Sequence, residues 1–105
     1  MNIQDLTVKS GEASRLLAAM SNQQRLRILC ELHQGERSVT SLGRAIGLSQ
    51  SALSQHLAKL RAAGIVTTRR QAQTIHYSVS DERAARLLAV LYDLFCTRKT
   101  VAKAR

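Results

Sequence analysis

The sequence predicts a mostly α-helical domain that carries a small β-hairpin. Apolar residues recur at i, i+3 and i+4 over most of the chain, which is typical of amphipathic helices. Near residue 75 the period changes to two, because Ile75, Tyr77 and Val79 alternate with polar residues, and this is typical of a half-buried strand. A length of 105 residues favours one domain. We place this domain at residues 5–98, followed by a basic tail at residues 99–105.

The first two predicted helices lie before residue 34. The first covers about residues 5–19, and Gly11 interrupts its first turns. The second begins with a capping box, in which Ser21 accepts a hydrogen bond from the backbone N–H of Gln24, and it ends near residue 33. The residues predicted to face inward are Ala13, Leu16, Leu17, Met20, Leu26, Leu29, Cys30 and His33.

Two further helices follow, separated by a glycine turn. They cover residues 39–46 and 50–63, and Ser38 and Ser49 are their predicted N-caps. Gly64 stands where a helix-ending residue in the left-handed conformation is expected. The residues predicted to face inward are Leu42, Ala45, Ile46, Ala52, Leu53, Leu57 and Leu60.

A hairpin and a long helix complete the domain. Residues 65–70 and 74–79 are predicted to pair, with the tip at residues 71–73. Ser80 is the predicted N-cap of the last helix, residues 81–98, whose acidic first turn suits the positive end of a helix dipole. The apolar stripe of this helix is larger than one small core needs, which favours burial against a partner. It consists of Ala84, Leu87, Leu88, Leu91, Leu94 and Phe95.

The charge of the chain indicates its class of partner. Sixteen Lys and Arg against seven Asp and Glu give a net charge of +9, which favours a polyanion. Only three residues are aromatic, so the base-stacking platform of single-strand and RNA binders is disfavoured, and duplex DNA is the predicted partner. We recognise no membrane-spanning run and no secretory signal. We therefore expect a cytoplasmic protein without a membrane partner.

A short helix, a glycine turn, a Ser-capped helix and a basic hairpin together form the layout of a winged helix-turn-helix. In this layout the Ser-capped helix enters the major groove, where Gln pairs with adenine and Ser reads several base edges. The hairpin, called the wing, brings arginines to the phosphates. The same residues also suit a solvated helix face and a protected sheet edge. A winged helix that binds another protein rather than DNA is a further alternative. The predicted DNA-binding residues are Gln50, Ser51, Ser54, Gln55, His56, Lys59, Arg69, Arg70 and Gln73.

Three stretches of the chain resemble the ArsR/SmtB family of bacterial repressors. They are RLRILC at residues 25–30, LSQSALSQHLAKLRAAGIV at residues 48–66 and RRQAQTIHYS at residues 69–78. The resemblance covers about residues 14–96. It implies a homodimer built on the first and last helices, which binds an inverted-repeat operator and releases it when an inducer is sensed.

The resemblance also narrows the inducer. Metal sensors of this family use a Cys-x-Cys pair in the third helix, or Asp and His on the last helix. Here Ser38 and Thr40 stand at the thiol positions and the last helix has no His, so we expect no metal and no cofactor. The positions of Cys30 and Cys96 instead resemble the SqrR/BigR-like branch, which responds to persulfides and oxidants. The resemblance therefore implies that these two thiols form a redox switch.

The spacing of the cysteines in the sequence also allows other interpretations. A cysteine on an apolar helical face is ordinarily a small buried hydrophobe. Both thiols also lie near helix C-termini, where the dipole opposes a thiolate, although Arg27 and Arg98 are close enough in sequence to offset this. Cys30 and His33, at i and i+3, are an alternative pair of metal ligands. An anti-repressor that displaces another DNA-binding protein is a further alternative. No set of catalytic residues indicates an enzyme.

Overall fold

The structure is a computed structural model that describes residues 1–96 as six helices and a three-stranded antiparallel sheet. This confirms the predicted mostly α-helical fold with a small hairpin. The end of the predicted last helix at residues 97–98 and the basic tail at 99–105 lie outside the described residues. The elements are α1 (Ile3–Val8), α2 (Ser10–Met20), α3 (Gln23–His33), β1 (Arg37–Ser38), α4 (Val39–Ile46), α5 (Gln50–Ala62), β2 (Val66–Gln71), β3 (Thr74–Val79) and α6 (Glu82–Cys96).

The N-terminal helix is divided in two, which the sequence prediction of one helix at residues 5–19 missed. The break is at Lys9, whose backbone angles of φ −93° and ψ 7° leave the helical region, and Gly11 lies inside α2. The Lys9 N–H still reaches the carbonyl oxygens of α1, so the two segments adjoin.

Helix caps explain where most of the other helices begin and end. Ser38 accepts a hydrogen bond from the Ser41 N–H and Ser49 accepts one from the Ala52 N–H, so both predicted N-caps are confirmed. The predicted capping box at Ser21 is wrong. Asn22 is the N-cap of α3, because its side chain accepts from the backbone N–H groups of residues 24 and 25.

The N-terminus of α6 also differs from the prediction. The Ser80 hydroxyl lies 3.4 Å from the carbonyl oxygens of Gly64 and Ile65, so it does not cap the helix. Asp81 Oδ1 instead accepts the Arg83 backbone N–H at 2.8 Å. A carboxylate at this end is also favoured by the helix dipole.

The sheet has the strand order β1-β3-β2. The hairpin register pairs Val66 with Val79 and Gln71 with Thr74, so the tip is a two-residue turn rather than the predicted three. Ala72 in this turn has φ +56°, the left-handed conformation that two-residue hairpin turns require. The short β1 strand was not predicted, because two residues show no periodicity.

The core lies between helices α2 to α5, the hairpin and the first half of α6. Four of the residues predicted to face inward are exposed: Leu17, Cys30, His33 and Ala45. In α3 the buried face is centred on Ile28, Leu29 and Leu32, about one residue away from the predicted face, and this rotation turns Cys30 outward. The buried residues are Leu16, Met20, Ile28, Leu29, Leu32, Leu42, Ile46, Leu53, Leu57, Leu60, Ile65, Val66, Ala84 and Leu88.

No helix within residues 1–96 combines the length and the apolar character that crossing a bilayer demands.

Candidate nucleic-acid interface and thiol pair

Helix α5 presents a polar face to solvent. Its core side consists of Leu53, Leu57 and Leu60, each at most 1% exposed, which fixes the rotation of the helix. Thirteen helical residues extend about 20 Å, enough to lie along a major groove. The predicted DNA-binding residues of this helix that are exposed are Gln50, Ser51, Ser54, Gln55 and Lys59.

His56 differs from the other predicted residues of α5 because its ring is half-buried. Its Nδ1 atom lies 3.4 Å from Nη1 of Arg25 on α3. The ring therefore stands at the border between the core side and the outer face of α5.

The helix-turn-helix formed by α4 and α5 is bound to α3 by two arginines. Arg25 contacts α5 through His56, and Arg27 donates a hydrogen bond of 3.0 Å to the carbonyl oxygen of Ile46 at the end of α4. Sequence analysis did not single out Arg25. A signal was present, since Arg25 shares a helical face with Ile28, Leu29 and Leu32, and an arginine on a buried face usually has a specific partner.

The two arginines of the wing have different environments. Arg69 binds Glu36 through two hydrogen bonds, Nε to Oε2 at 3.1 Å and Nη2 to Oε1 at 2.7 Å. Hydrogen bonding from Arg69 is the main cause that lowers the pKa of the Glu36 carboxyl. Arg70 and Gln73 are exposed, and Arg70 has no ion pair or side-chain hydrogen bond within residues 1–96. The wing thus presents one neutralised and one unpaired guanidinium.

The two cysteines are free and exposed, on α3 and on the last residue of α6. Partial burial raises the pKa of the Cys30 thiol, and the nearby groups Cys96 and Glu31 raise it further. Helices α3 and α6 pack against each other, so the two thiols lie on neighbouring elements although they are far apart in the sequence. Arg27 is not among the groups that shift the pKa of Cys30, and its guanidinium donates hydrogen bonds to Gln24 and to the carbonyl oxygen of Ile46. Arg98 lies outside the described residues.

A surface cleft of about 260 Å³ opens beside Cys30, between α3 and α4. Leu26, Ala45 and Ile46 supply apolar walls, and Arg27 and Glu31 supply one charge of each sign. A small sulfur compound can therefore reach the Cys30 sulfur from solvent. Over the part of the chain that the structure describes, no three His, Cys, Asp or Glu side chains are grouped to bind a metal ion.

Comparison with known proteins identifies the family. The model of "Bacterial regulatory protein, arsR family" matches residues 22–68, which span α3 to the start of the wing. The transcriptional activator HlyU of Vibrio cholerae serotype O1 is 47% identical over 96 residues, 91% of this chain and 89% of HlyU. The chain belongs to the arsR family. The family predicted from the sequence is thereby confirmed.

Solved structures of arsR-family proteins resemble the whole described fold. The repressor BigR of Xylella fastidiosa matches with a TM-score of 0.89 at 40% identity, over 93% of this chain and 100% of BigR. Reduced HlyU of Vibrio cholerae matches with a TM-score of 0.83 at 46% identity, over 90% and 99% of the two chains. The homodimeric winged helix-turn-helix domain of Mb0332 from Mycobacterium bovis matches at 0.75 and 32%, over 84% and 82%. The winged helix-turn-helix of Mb0332 agrees with the predicted fold, and the similarity to BigR agrees with the predicted SqrR/BigR-like branch.

Proposed function

We propose that this arsR-family regulator is a homodimeric repressor that loses its operator when Cys30 and Cys96 are joined. The observation that carries the proposal is a pair of exposed thiols on two helices that pack against each other, Cys30 on α3 and Cys96 on the last residue of α6. Helix α3 also holds both helices of the helix-turn-helix. A covalent bond at Cys30 therefore acts on the element that positions the DNA-binding surface.

The DNA-binding surface consists of the outer face of α5 and the tip of the wing. Gln50 and Gln55 supply amide groups that suit adenine, and Ser51 and Ser54 supply hydroxyls for other base edges. Lys59, Arg70 and Gln73 are exposed and suit phosphate contacts. Arg69 supports the wing through Glu36 rather than contributing an unpaired charge.

The proposed dimer interface is the unpartnered apolar surface of α6 and α2. Leu94 and Phe95 are 58% and 71% exposed in the single chain, and Val90 and Leu17 are 50% and 54% exposed. Large apolar side chains grouped in this way usually mark an interface. The relative Mb0332, whose winged helix-turn-helix domain is homodimeric, supports a homodimer. A two-fold dimer presents two copies of α5 to half-sites about 34 Å apart, which requires an inverted repeat.

The proposed chemistry uses no cofactor. One thiolate attacks the outer sulfur of a persulfide RSSH, which transfers that sulfur and releases the thiol RSH. The second cysteine thiolate then attacks the inner sulfur of the new persulfide, the one bound to the protein carbon, which closes the disulfide and releases hydrogen sulfide. The balanced sum is one persulfide and two cysteine thiols giving one disulfide, one thiol RSH and one molecule of hydrogen sulfide. An oxidant reaches the same disulfide through a sulfenic acid and releases water.

The test measures bridge formation and DNA affinity in the same samples. The purified dimer is treated with glutathione persulfide, and mass spectrometry maps the sulfur bridge. Affinity is measured on a duplex that the reduced protein has selected from a random-sequence pool. We expect an intrachain bridge between Cys30 and Cys96 and a loss of affinity of at least tenfold. Cys30→Ser and Cys96→Ser should each keep reduced-state affinity after treatment. If either variant still loses its DNA, the switch assignment is wrong.

A second candidate function is activation by displacement of another DNA-binding protein. The specific observation in its favour is that HlyU, 47% identical to this chain, is a transcriptional activator. The two functions differ in transcription from the bound promoter. Reconstituted transcription falls on adding a repressor to bare DNA, whereas an anti-repressor has no effect until a competing DNA-binding protein is present.

The metal-responsive alternative predicts a different spectrum. Cobalt bound by Cys30 and His33 would give thiolate charge-transfer absorbance and would change DNA affinity without any sulfur donor. Titration of the reduced dimer with Co²⁺ distinguishes the two functions. A metal sensor predicts the charge-transfer absorbance, and the thiol switch predicts no change in absorbance.

A further inference from the structure

Arg25 contacts two helices at once, through backbone carbonyl groups of α2 and through the ring of His56 on α5. Its Nε donates a short hydrogen bond of 2.6 Å to the carbonyl oxygen of Ala19, and Nη2 lies 3.5 Å from that of Ala18. Its Nη1 lies 3.4 Å from Nδ1 of His56. One planar guanidinium thus connects the end of α2 to the middle of α5.

The contacts with α2 fix the guanidinium on the side away from His56. The last carbonyl groups of a helix lack partners within the helix, and they form the negative end of its dipole, so a cation there is stabilised. Because the guanidinium is rigid and planar, fixing Nε and Nη2 also fixes the direction of Nη1. The position of Nη1 beside His56 is therefore set by α2 and α3 rather than by α5.

This arrangement determines which nitrogen of His56 carries the proton. Arginine has only donors, so a hydrogen bond from Nη1 requires Nδ1 of His56 to be the acceptor. In the neutral ring the proton then resides on Nε2, the nitrogen farther from the helix backbone. Within residues 1–96 no hydrogen-bond partner occupies Nε2.

We propose that Arg25 is a positioning residue that holds His56 in the tautomer protonated at Nε2, so that His56 donates a hydrogen bond to an acceptor on duplex DNA. This inference rests on the proposed DNA-binding role of α5. It does not depend on the cysteine switch. The acceptor is a phosphate oxygen or a guanine N7 or O6 atom, since all of these receive an N–H donor.

The first test needs neither DNA nor a substitution. Nitrogen-15 NMR of the histidine rings in the reduced dimer, at about pH 8.5 where histidines are ordinarily neutral, reports the protonated nitrogen of each ring. We expect a single His56 tautomer with the proton on Nε2. Arg25→Lys should make the tautomer protonated at Nδ1 detectable as well. Arg27→Lys, the matched control on the same helix, should leave the tautomer of His56 unchanged. A His56 proton on Nδ1 in the wild-type protein overturns the inference, whatever the outcome for DNA binding.

The second test compares two amides at position 56. Gln places its amide nitrogen near the position of Nε2, and Asn places it near that of Nδ1. His56→Gln should therefore bind the selected duplex about fivefold more tightly than His56→Asn, the usual scale of one hydrogen bond. Equal affinities or the reverse order overturn the proposal. A difference that persists on a duplex of unrelated sequence assigns the acceptor to phosphate, and one confined to the selected site assigns it to a base.

The third test separates positioning from general stability. Arg25→Lys should weaken DNA binding about fivefold when His56 is present and less than about twofold in the His56→Ala background, because the two residues act as a unit. Arg27→Lys should have the same effect in both backgrounds. If the loss caused by Arg25→Lys is undiminished in the His56→Ala background, Arg25 does not act through His56.

Discussion

Joining Cys30 to Cys96 is expected to stabilise the fold against unfolding. The bond would close a loop of about 67 residues, and the loss of chain entropy in the unfolded state corresponds to about 4 kcal/mol for a loop of that length. The closed loop contains α4, α5 and both hairpin strands, so all the elements proposed to face DNA lie within it. For a domain of this size the melting temperature should rise on the order of 20 °C.

Thermal unfolding followed by circular dichroism measures this effect. The reduced and bridged proteins are compared at one protein concentration, because dissociation of the dimer makes the melting temperature concentration-dependent. Cys96→Ser, treated with the same persulfide, is the control and should melt as the reduced protein does. Two results would refute the reasoning. One is an intrachain bridge without any rise in melting temperature, and the other is disulfide-linked dimers on a non-reducing gel.

Three further predictions concern the thiol, the dimer and the wing. Because the pKa of Cys30 is raised, the midpoint of its alkylation rate profile should lie above pH 9.0, the ordinary thiol value, and a midpoint at or below that pH in peptide mass spectra would contradict this. Phe95→Asp should convert the dimer to a folded monomer in light scattering, since a charge replaces an apolar contact; an unchanged mass counts against the interface. Arg70→Ala should lower the salt slope of DNA binding by about 0.9, as loss of one phosphate contact requires. Arg69→Ala is the matched control and should change the slope less, because Glu36 already neutralises Arg69, so equal changes would reject this distinction.

Local sequence patterns predicted the helix-turn-helix well. Helix α4 starts at residue 39 and α5 at residue 50, as Ser38 and Ser49 indicated, because a serine hydroxyl that accepts a nearby N–H is a local interaction. Gly47 and Gly64 end their helices with φ of +79° and +75°, which also depends on single residues. The same logic failed at Ser21, since the adjacent Asn22 is an equally good cap and only its backbone geometry decides between them.

Contacts between distant residues could not be predicted in this way. Arg25 meets His56 across 31 positions of sequence and Arg69 meets Glu36 across 33. Periodicity placed Cys30 on the buried side of α3, and a rotation of about one residue was enough to expose it. The DNA-binding role of the predicted residues therefore stays a prediction. The structure shows that these residues differ in environment, because Arg69 is paired and His56 is half-buried.

The position of α3 supports the proposed coupling between the Cys30 thiol and DNA binding. Helix α3 packs against α2, α4, α5, α6 and β3, and it carries Cys30 on its exposed side. Its neighbours are close-packed, and a packed interior transmits a displacement rather than absorbing it. A bond that draws Cys30 towards the end of α6 would therefore move the ends of α4 and α5 that Arg27 and Arg25 hold. In a two-fold dimer the shift occurs in both copies of α5, so a small movement in each subunit changes the fit to both half-sites of the operator.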